Sequence, residues 1–272
     1  MLDRTTYLDA FHHDAAALAA AARDAGMDAP IPSCPGWTVS VLLTHLAGIY
    51  AHRTALVRRH ARENVVRSFA DLDLPPAYEG WFAAEFDEGE QDQKPALPVP
   101  AGLPDLFEQT VTTLEETLYV APPEEPVWTW WPTDQTAGFW QRRMAQETAV
   151  HRWDAQLAAG SPQPISPIIA ADGIDEALTV MTPASRHWSP DFRKGAGESY
   201  HVHCTDTPGE WVARFQGDDV IVTREHAKAD VALRGDASDL LLFLWHRIPA
   251  DRLNVVGDRA LLDRFFELAP TD

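Results

Sequence analysis

Cysteine is scarce in this sequence, and its scarcity excludes one class of protein. Only two cysteines, Cys34 and Cys204, occur among the 272 residues. Small secreted domains that depend on a disulfide framework carry more cysteines, in even numbers and at short spacings. The sequence therefore predicts no disulfide framework, and a reducing compartment is the simplest location for the chain.

Basic residues are also few. The chain has 22 lysines and arginines against 41 aspartates and glutamates, and its formal net charge is −19 at pH 7. Nucleic-acid binding requires clustered basic side chains that neutralise phosphates, and binding to an anionic membrane surface requires a similar cluster. This charge balance argues against both nucleic-acid and membrane partners.

Long hydrophobic runs are missing as well. The sequence contains no stretch of about 18 apolar residues, which a transmembrane helix needs. Its first 26 residues, MLDRTTYLDAFHHDAAALAAAARDAG, lack the basic and then apolar pattern of a secretory signal. We therefore expect a soluble, cytoplasmic protein. Its 45% hydrophobic content is enough for one large domain or two modest ones.

Four segments with helical periodicity lie in the first part of the chain. Apolar side chains recur every three or four positions in residues 5–25, 38–62, 105–121 and 138–159. Thr38 is the predicted N-cap of the second segment, and DLFE (105–108) is a capping-box pattern at the start of the third. Residues 1–160 are therefore predicted to form a four-helix bundle.

Residues 168–272 follow a different pattern. After the Pro-rich linker SPQPISP, a helix is predicted at 168–181. The segments SYHVHCTD, EWVARF and DVIVTRE then alternate with period two, and QGDD between the last two is a hairpin signal. ADVALRG and two further helices complete the chain. The pattern predicts a small α+β domain with an antiparallel sheet.

An acidic, Pro-rich segment separates the second and third helices. Residues 71–104 are predicted to form a long loop with a short helix near 80–86. A loop of this length is usually functional or mobile.

Three potential metal ligands lie on the second and fourth predicted helices. His45 sits at the edge of an apolar stripe, and Glu147 and His151 are one helical turn apart. Two histidines and one carboxylate from facing helices make a three-ligand set with open coordination positions, which is typical of a catalytic metal site. The alternative is a hydrogen-bonded core histidine beside an ordinary polar helix face, because this spacing of Glu and His is common by chance.

Two of these segments resemble the signature segments of the mycothiol-dependent maleylpyruvate isomerase family. They are PIPSCPGWTVSVLLTHLAGIYAHR (30–53) and ETAVHRWDA (147–155), and the pattern of residues 229–266 resembles the family's second domain. The resemblance implies a DinB-like metal-binding helical bundle at 1–160 and a sterol-carrier-like α+β domain at 168–272. It also implies that His45, Glu147 and His151 hold a divalent metal, usually zinc in the family.

The resemblance further implies a small-molecule thiol, mycothiol, as cosubstrate. Two neutral imidazoles and one carboxylate leave a zinc ion with a net charge of about +1, which favours a bound thiolate over a thiol. In the isomerase, the thiolate adds to a cis double bond conjugated to a carbonyl. The former double bond rotates, and the thiol leaves to give the trans product. Other family members transfer the thiol to an electrophile, so isomerase and transferase both stay open.

Two other functions are compatible with the same three ligands. Two histidines and a carboxylate also form the metal site of non-haem iron oxygenases, which here would be thiol-dependent. A non-catalytic metal- or ligand-binding protein would retain the bundle and the metal without turnover.

Other polar residues have weaker arguments. Asp154 could orient a metal ligand, form an ion pair in solvent or stabilise its helix. Cys34 could be a fourth ligand, although packing is favoured because a protein thiolate would occupy the position that a thiol substrate needs. His201 and His203 face the same side of a predicted strand, but no third ligand is evident nearby, so no second metal site is predicted.

Overall fold

The structure is a computed structural model that describes residues 1–82, 98–189 and 192–270. The chain folds into two compact units, Leu2–Gln163 and Pro164–Asp272. The first unit is helical, and the second contains a five-stranded sheet with helices. This confirms the predicted fold class.

Among the described residues of the first unit, four helices are long and one is short. They are α1 (Arg4–Ala25), α2 (Val39–Arg58), the short α3 (Glu79–Phe82), α4 (Leu103–Val120) and α5 (Ala137–Ala158). Helix α1 packs mainly on α5, and α2 packs mainly on α4 and also touches α5. Phe11, Leu42 and Leu114 are fully buried between the helices, as the apolar stripes of amphipathic helices require. Among the described residues, no helix is both long and apolar enough to cross a membrane.

The ends of α2 and α5 position the side chains discussed below. Thr38 is the N-cap of α2 as predicted, but its hydroxyl lies 2.8 Å from that of Ser40 and does not bond to a backbone N–H. At the start of α5, the Thr136 side chain accepts a hydrogen bond from the backbone N–H of Phe139. Just after the end of α5, Gly160 has φ of 77°, a left-handed conformation that favours glycine.

The segment before α4 matches its prediction only in part. Short 3₁₀ turns lie at Phe69–Leu72 and Pro76–Tyr78, and α3 follows directly. The rest of the helix predicted near 80–86 lies outside the described residues. Helix α4 begins at Leu103 after an N-cap at Gly102, so the predicted capping box at 105–108 is wrong. Pro104 explains the earlier start, because its missing N–H and preset φ suit the first helical turn.

The second unit is built on a mixed sheet. Its strands are β1 (Gly195–Cys204), β2 (Glu210–Gly217), β3 (Asp219–Thr223), β4 (Val231–Gly235) and β5 (Asn254–Gly257), in the order β3-β2-β1-β4-β5. The β1–β2 and β2–β3 pairs are antiparallel as predicted, and β2 and β3 form the predicted hairpin. Strand β5, which pairs antiparallel with β4, was not predicted. The β1–β4 pair is parallel, because the chain crosses over after β3 to the other side of β1.

Helices cover one face of this sheet. They are α6 (Pro167–Glu176), α7 (Thr182–Trp188), α8 (Ala237–Leu244) and α9 (Arg259–Leu268), with a π-helical turn at Ala177–Met181 between α6 and α7. Tyr200 and Val202 of β1 are fully buried, and the Tyr200 ring packs edge-on against Phe215 and Phe265. Because side chains alternate along a strand, His201 and His203 face the opposite side of the sheet.

Candidate metal centre

The three side chains predicted as metal ligands meet in the first unit. Glu147 Oε1 lies 3.3 Å from His45 Nε2 and 3.4 Å from His151 Nε2. One ligand atom from each residue lies within 4.8 Å of the others. Helix α2 supplies His45, and α5 supplies the other two from adjacent turns of one face. The packing of α2 on α5 therefore aims two imidazoles and one carboxylate at a common point.

Trp37 borders this cluster. Its indole lies 5.0 Å from the His45 ring, measured between centroids, and stacks on the His151 ring at 6.0 Å. Trp37 precedes the N-cap of α2 and is half-buried. The indole therefore limits rotation of both imidazoles and separates one side of them from solvent.

The second oxygen of Glu147 is held by a buried arginine. Arg143, one turn earlier on α5, forms an ion pair with Glu147 Oε2. Burial acts to raise the pKa of Glu147, but the charge of Arg143 and the nearby imidazoles of His151 and His45 outweigh it. The pKa therefore lies well below its usual value. At neutral pH the side chain is an ionised carboxylate with only Oε1 turned towards the imidazoles.

Asp154 orients His151 from behind. Its carboxylate has no solvent exposure and lies 2.8 Å from His151 Nδ1. The Ser33 hydroxyl donates to the same carboxylate at 2.6 Å. An ionised carboxylate only accepts, so with Asp154 ionised His151 Nδ1 donates to it, and a neutral ring then carries its lone pair on Nε2. An ion pair in solvent, the alternative considered for Asp154, is excluded by this burial.

Cys34 lies on the side of Asp154. Its thiol is 3.6 Å from Asp154 Oδ2, and it is buried without forming a disulfide. It shares a possible ligand cluster with His151 and Asp154, but not with His45 and Glu147. Cys34 is therefore placed to pack against the carboxylate that orients His151.

The donor set fits a zinc-class divalent ion. Tetrahedral zinc with bonds of about 2.0–2.1 Å keeps its nitrogen and oxygen ligands about 3.3 Å apart. The 3.3 and 3.4 Å separations around Glu147 Oε1 are of that size. In the tautomers that leave both Nε2 atoms unprotonated, two lone pairs and the Glu147 carboxylate converge on one point, an arrangement that a cation would stabilise. Three protein donors also leave a coordination position for a further ligand.

The three converging residues were predictable from the sequence, and Asp154 was among the candidates for orienting them, but Arg143, Ser33 and Trp37 were missed. Arg143 was detectable in principle, because it precedes Glu147 by four residues on the same helix. Ser33 and Trp37 carried no such signal, since they lie in the irregular segment before α2. Outside a helix or strand, the spacing of residues does not indicate where their side chains point.

Comparisons with known proteins agree with this architecture. The family model described as the mycothiol maleylpyruvate isomerase N-terminal domain matches residues 8–156. The model of the family's C-terminal domain matches residues 169–264. No match was found among curated proteins.

Two solved structures are similar in fold. They are the mycothiol-dependent maleylpyruvate isomerase, with a TM-score of 0.60, and a histidine-to-alanine mutant of it, with a TM-score of 0.59. Each is 15% identical, and each alignment covers 94% of this chain and 95% of that chain. Identity at this level concerns the fold alone, but the N-terminal family model spans more than half of the sequence. The chain therefore belongs to the mycothiol maleylpyruvate isomerase family.

Proposed function

We propose that this chain is a zinc-dependent enzyme that activates mycothiol. The reaction would be cis–trans isomerisation of a maleylpyruvate-like substrate or transfer of the thiol to another electrophile. The family and the name of the similar solved enzyme support the thiol and the reaction class. The observation that carries the proposal is the convergence of His45 Nε2, Glu147 Oε1 and His151 Nε2.

A bound metal ion would supply a Lewis acid that makes a coordinated thiol a thiolate at neutral pH. The chain's own charges support binding of one anion. Glu147 and Asp154 are negative, and Arg143 offsets one of them from a buried position. A divalent cation added to these three groups leaves one net positive charge. An anionic sulfur neutralises that charge, whereas a neutral thiol does not.

The remaining residues hold the imidazoles in place. Asp154 keeps the lone pair of His151 Nε2 on the side of Glu147, and Ser33 holds Asp154 in turn. Trp37 lies against both histidine rings. Such supporting contacts orient ligands before substrate arrives, which reduces reorganisation during reaction.

Metal analysis of the full chain, purified without chelator and with any affinity tag removed, tests the proposal. Glu147→Gln removes the ligand charge while keeping its shape. We expect it to lose one equivalent of zinc relative to wild type, and to lose mycothiol-dependent turnover. Glu108→Gln is the matched control, because Glu108 also pairs with an arginine on a helix of the same unit but at the surface. Equal zinc content in the two variants would reject the metal site.

The same samples separate the alternative functions. Turnover of a cis-enone dicarboxylate supports isomerase, and thioether formation with other electrophiles supports transferase. Thiol-dependent oxygen uptake by an iron-loaded protein would favour the oxygenase. Stable metal with no turnover across thiol and electrophile pairs would leave a binding protein.

A further inference from the structure

A second group of histidines surrounds a glutamate in the second unit. His201 and His203 lie on β1, Glu210 begins β2, and His226 follows the end of β3. The sequence pattern indicated only His201 and His203, with no third potential ligand nearby. That expectation is wrong, because Glu210 and His226 lie beside them. Glu210 is the register partner of His203 across the β1–β2 pair, so the two share one face of the sheet. The turn after β3 then brings His226 to the same face.

Glu210 contacts all three imidazoles. Its Oε2 lies 3.1 Å from His201 Nε2 and 2.6 Å from His226 Nδ1, and its Oε1 lies 3.0 Å from His203 Nδ1. The three ring centroids are 5.2 to 6.1 Å apart and nearly perpendicular in pairs. One ligand atom from each of the four residues lies within 4.8 Å of the other three. Three nitrogens and one oxygen thus lie close enough together to serve as ligands of a single ion.

The cluster runs from the interior to the surface. His201 is buried, His203 and Glu210 are partly exposed, and the His226 side chain is 78% exposed. A buried ligand gives the site a fixed base, and an exposed one gives an ion a route of entry. His226 lies after the end of β3, so the strand pairing that positions His201, His203 and Glu210 does not fix its ring.

We propose that His201, His203, Glu210 and His226 form a second metal site, which takes a zinc-class divalent ion held by four protein ligands. Imidazole suits zinc, cobalt, nickel and copper, whereas magnesium and calcium prefer oxygen ligands throughout. Four protein donors complete a tetrahedral shell, which is typical of structural zinc, whereas the three donors of the bundle leave a position open. The ion would link β1, β2 and the turn after β3. This inference does not rest on the proposed function of the bundle.

The competing interpretation is a hydrogen-bonded cluster that binds no metal. Each neutral imidazole can donate one N–H to the carboxylate, and the observed distances also suit that arrangement. The two interpretations differ in a countable property, the number of zinc ions that the full chain holds.

Zinc titration decides between the metal site and the hydrogen-bonded cluster. It uses the metal-free full chain with the affinity tag removed and a chromogenic chelator as competitor. We expect His203→Ala/His226→Ala to hold one zinc fewer than wild type, and Glu147→Gln to lose a different one. Combining the three substitutions should remove both. Should the bundle bind no zinc, wild type would hold one ion and the double histidine variant none, so failure of either site is visible separately.

The matched control is His12→Ala/His13→Ala, which removes two exposed histidines from α1 that belong to no such cluster among the described residues. It should retain every zinc ion of the wild type. His226→Ala alone changes an exposed side chain and guards against misfolding of the double variant. We expect it to weaken this site more than about 10–100-fold, the loss typical of an indirect ligand contact. Unchanged stoichiometry and affinity in His226→Ala and in the double variant would overturn the second site.

Discussion

His151 uses its two ring nitrogens in different directions. Nδ1 faces the buried carboxylate of Asp154, and Nε2 faces Glu147. An imidazole with one nitrogen committed to a carboxylate presents the other as an oriented and more basic donor. The role of His151 therefore depends on a residue that is not itself one of the three converging ligands.

Asp154→Asn tests this dependence. The amide can donate as well as accept, so His151 is released to carry its proton on Nε2, where the metal would bind. We expect zinc affinity of the bundle site to fall by about 10–100-fold with the helical fold retained. Chelator competition in the His203→Ala/His226→Ala background, with far-ultraviolet circular dichroism as the fold check, measures the effect on this site alone.

Two further variants provide a weaker perturbation and a control for Asp154→Asn. Ser33→Ala removes one hydrogen bond to Asp154 but leaves the carboxylate itself, so its effect on zinc affinity should be smaller. Asp105→Asn makes the same Asp-to-Asn change as Asp154→Asn, but on an exposed side chain, and it should leave zinc affinity unchanged. Wild-type affinity in Asp154→Asn would show that the carboxylate serves packing only.

Single residues show which site features a sequence can specify. His45, Glu147 and His151 were predictable because helical spacing gives direction, and the family resemblance joined the two helices. Glu210 and His226 were not, since strand register and the turn after β3 are set by pairing across the sheet. A one-residue change of register would turn Glu210 to the opposite face.

At the scale of elements, periodicity predicted the long helices within a few residues. Helix α5 was expected at 138–159 and spans Ala137–Ala158. The parallel β1–β4 pair was missed because alternation shows that a segment is a strand but not its direction or its neighbours. The helix expected at 168–181 is interrupted by a π-helical turn just before Pro183, whose missing N–H disturbs the regular ladder.

Helix α7 is tied to the sheet by one buried arginine. The Arg186 side chain is 2% exposed and donates to the backbone carbonyls of Arg193, Gly217 and Leu268 at 3.1, 2.8 and 2.5 Å. Arg193 lies in the segment before β1, Gly217 ends β2 and Leu268 ends α9. One guanidinium thus joins α7 to three other parts of the unit, because its planar fork offers five donors.

Arg186→Met should destabilise the second unit strongly. The thioether keeps much of the apolar bulk but takes the donor away from the buried Leu268 carbonyl and from two part-buried carbonyls, so we expect the free energy of unfolding to fall by about 3 kcal/mol. Urea denaturation followed by hydrogen exchange in peptides from β2, β3 and α9 measures this change within the unit concerned.

Arg193→Met is the control for that variant. Arg193 is half-exposed and forms an ion pair with Glu267 at the surface, so its loss should cost less than about 1 kcal/mol. If Arg186→Met cost no more than the control, the hydrogen bonds of Arg186 to these carbonyls would contribute little to the stability of the unit.

At the scale of the whole molecule, charge is the dominant feature. The formal net charge of −19 is spread over a chain with 41 acidic and 22 basic residues. Some acidic side chains, such as Glu147 and Glu108, are each paired with an arginine. The acidic residues still outnumber the basic ones, and their unbalanced negative charges repel one another in the folded state. The same negative charge attracts divalent cations towards the molecule, which favours loading of both proposed metal sites.

Self-repulsion of this size predicts that salt stabilises the fold. Raising NaCl from about 0.01 to 0.15 M shortens the screening length from about 30 to 8 Å, so distant like charges cease to interact. We expect the free energy of unfolding at pH 7 to rise by about 1–2 kcal/mol over this range, the scale of a few surface pairs. Urea denaturation at each salt concentration measures this increase.

Near pH 4.8, the isoelectric point, the net charge vanishes and the increase in stability with salt should vanish with it. An equal increase at both pH values would instead indicate that salt acts on apolar burial, and a decrease at pH 7 would show that attractive ion pairs outweigh the excess charge.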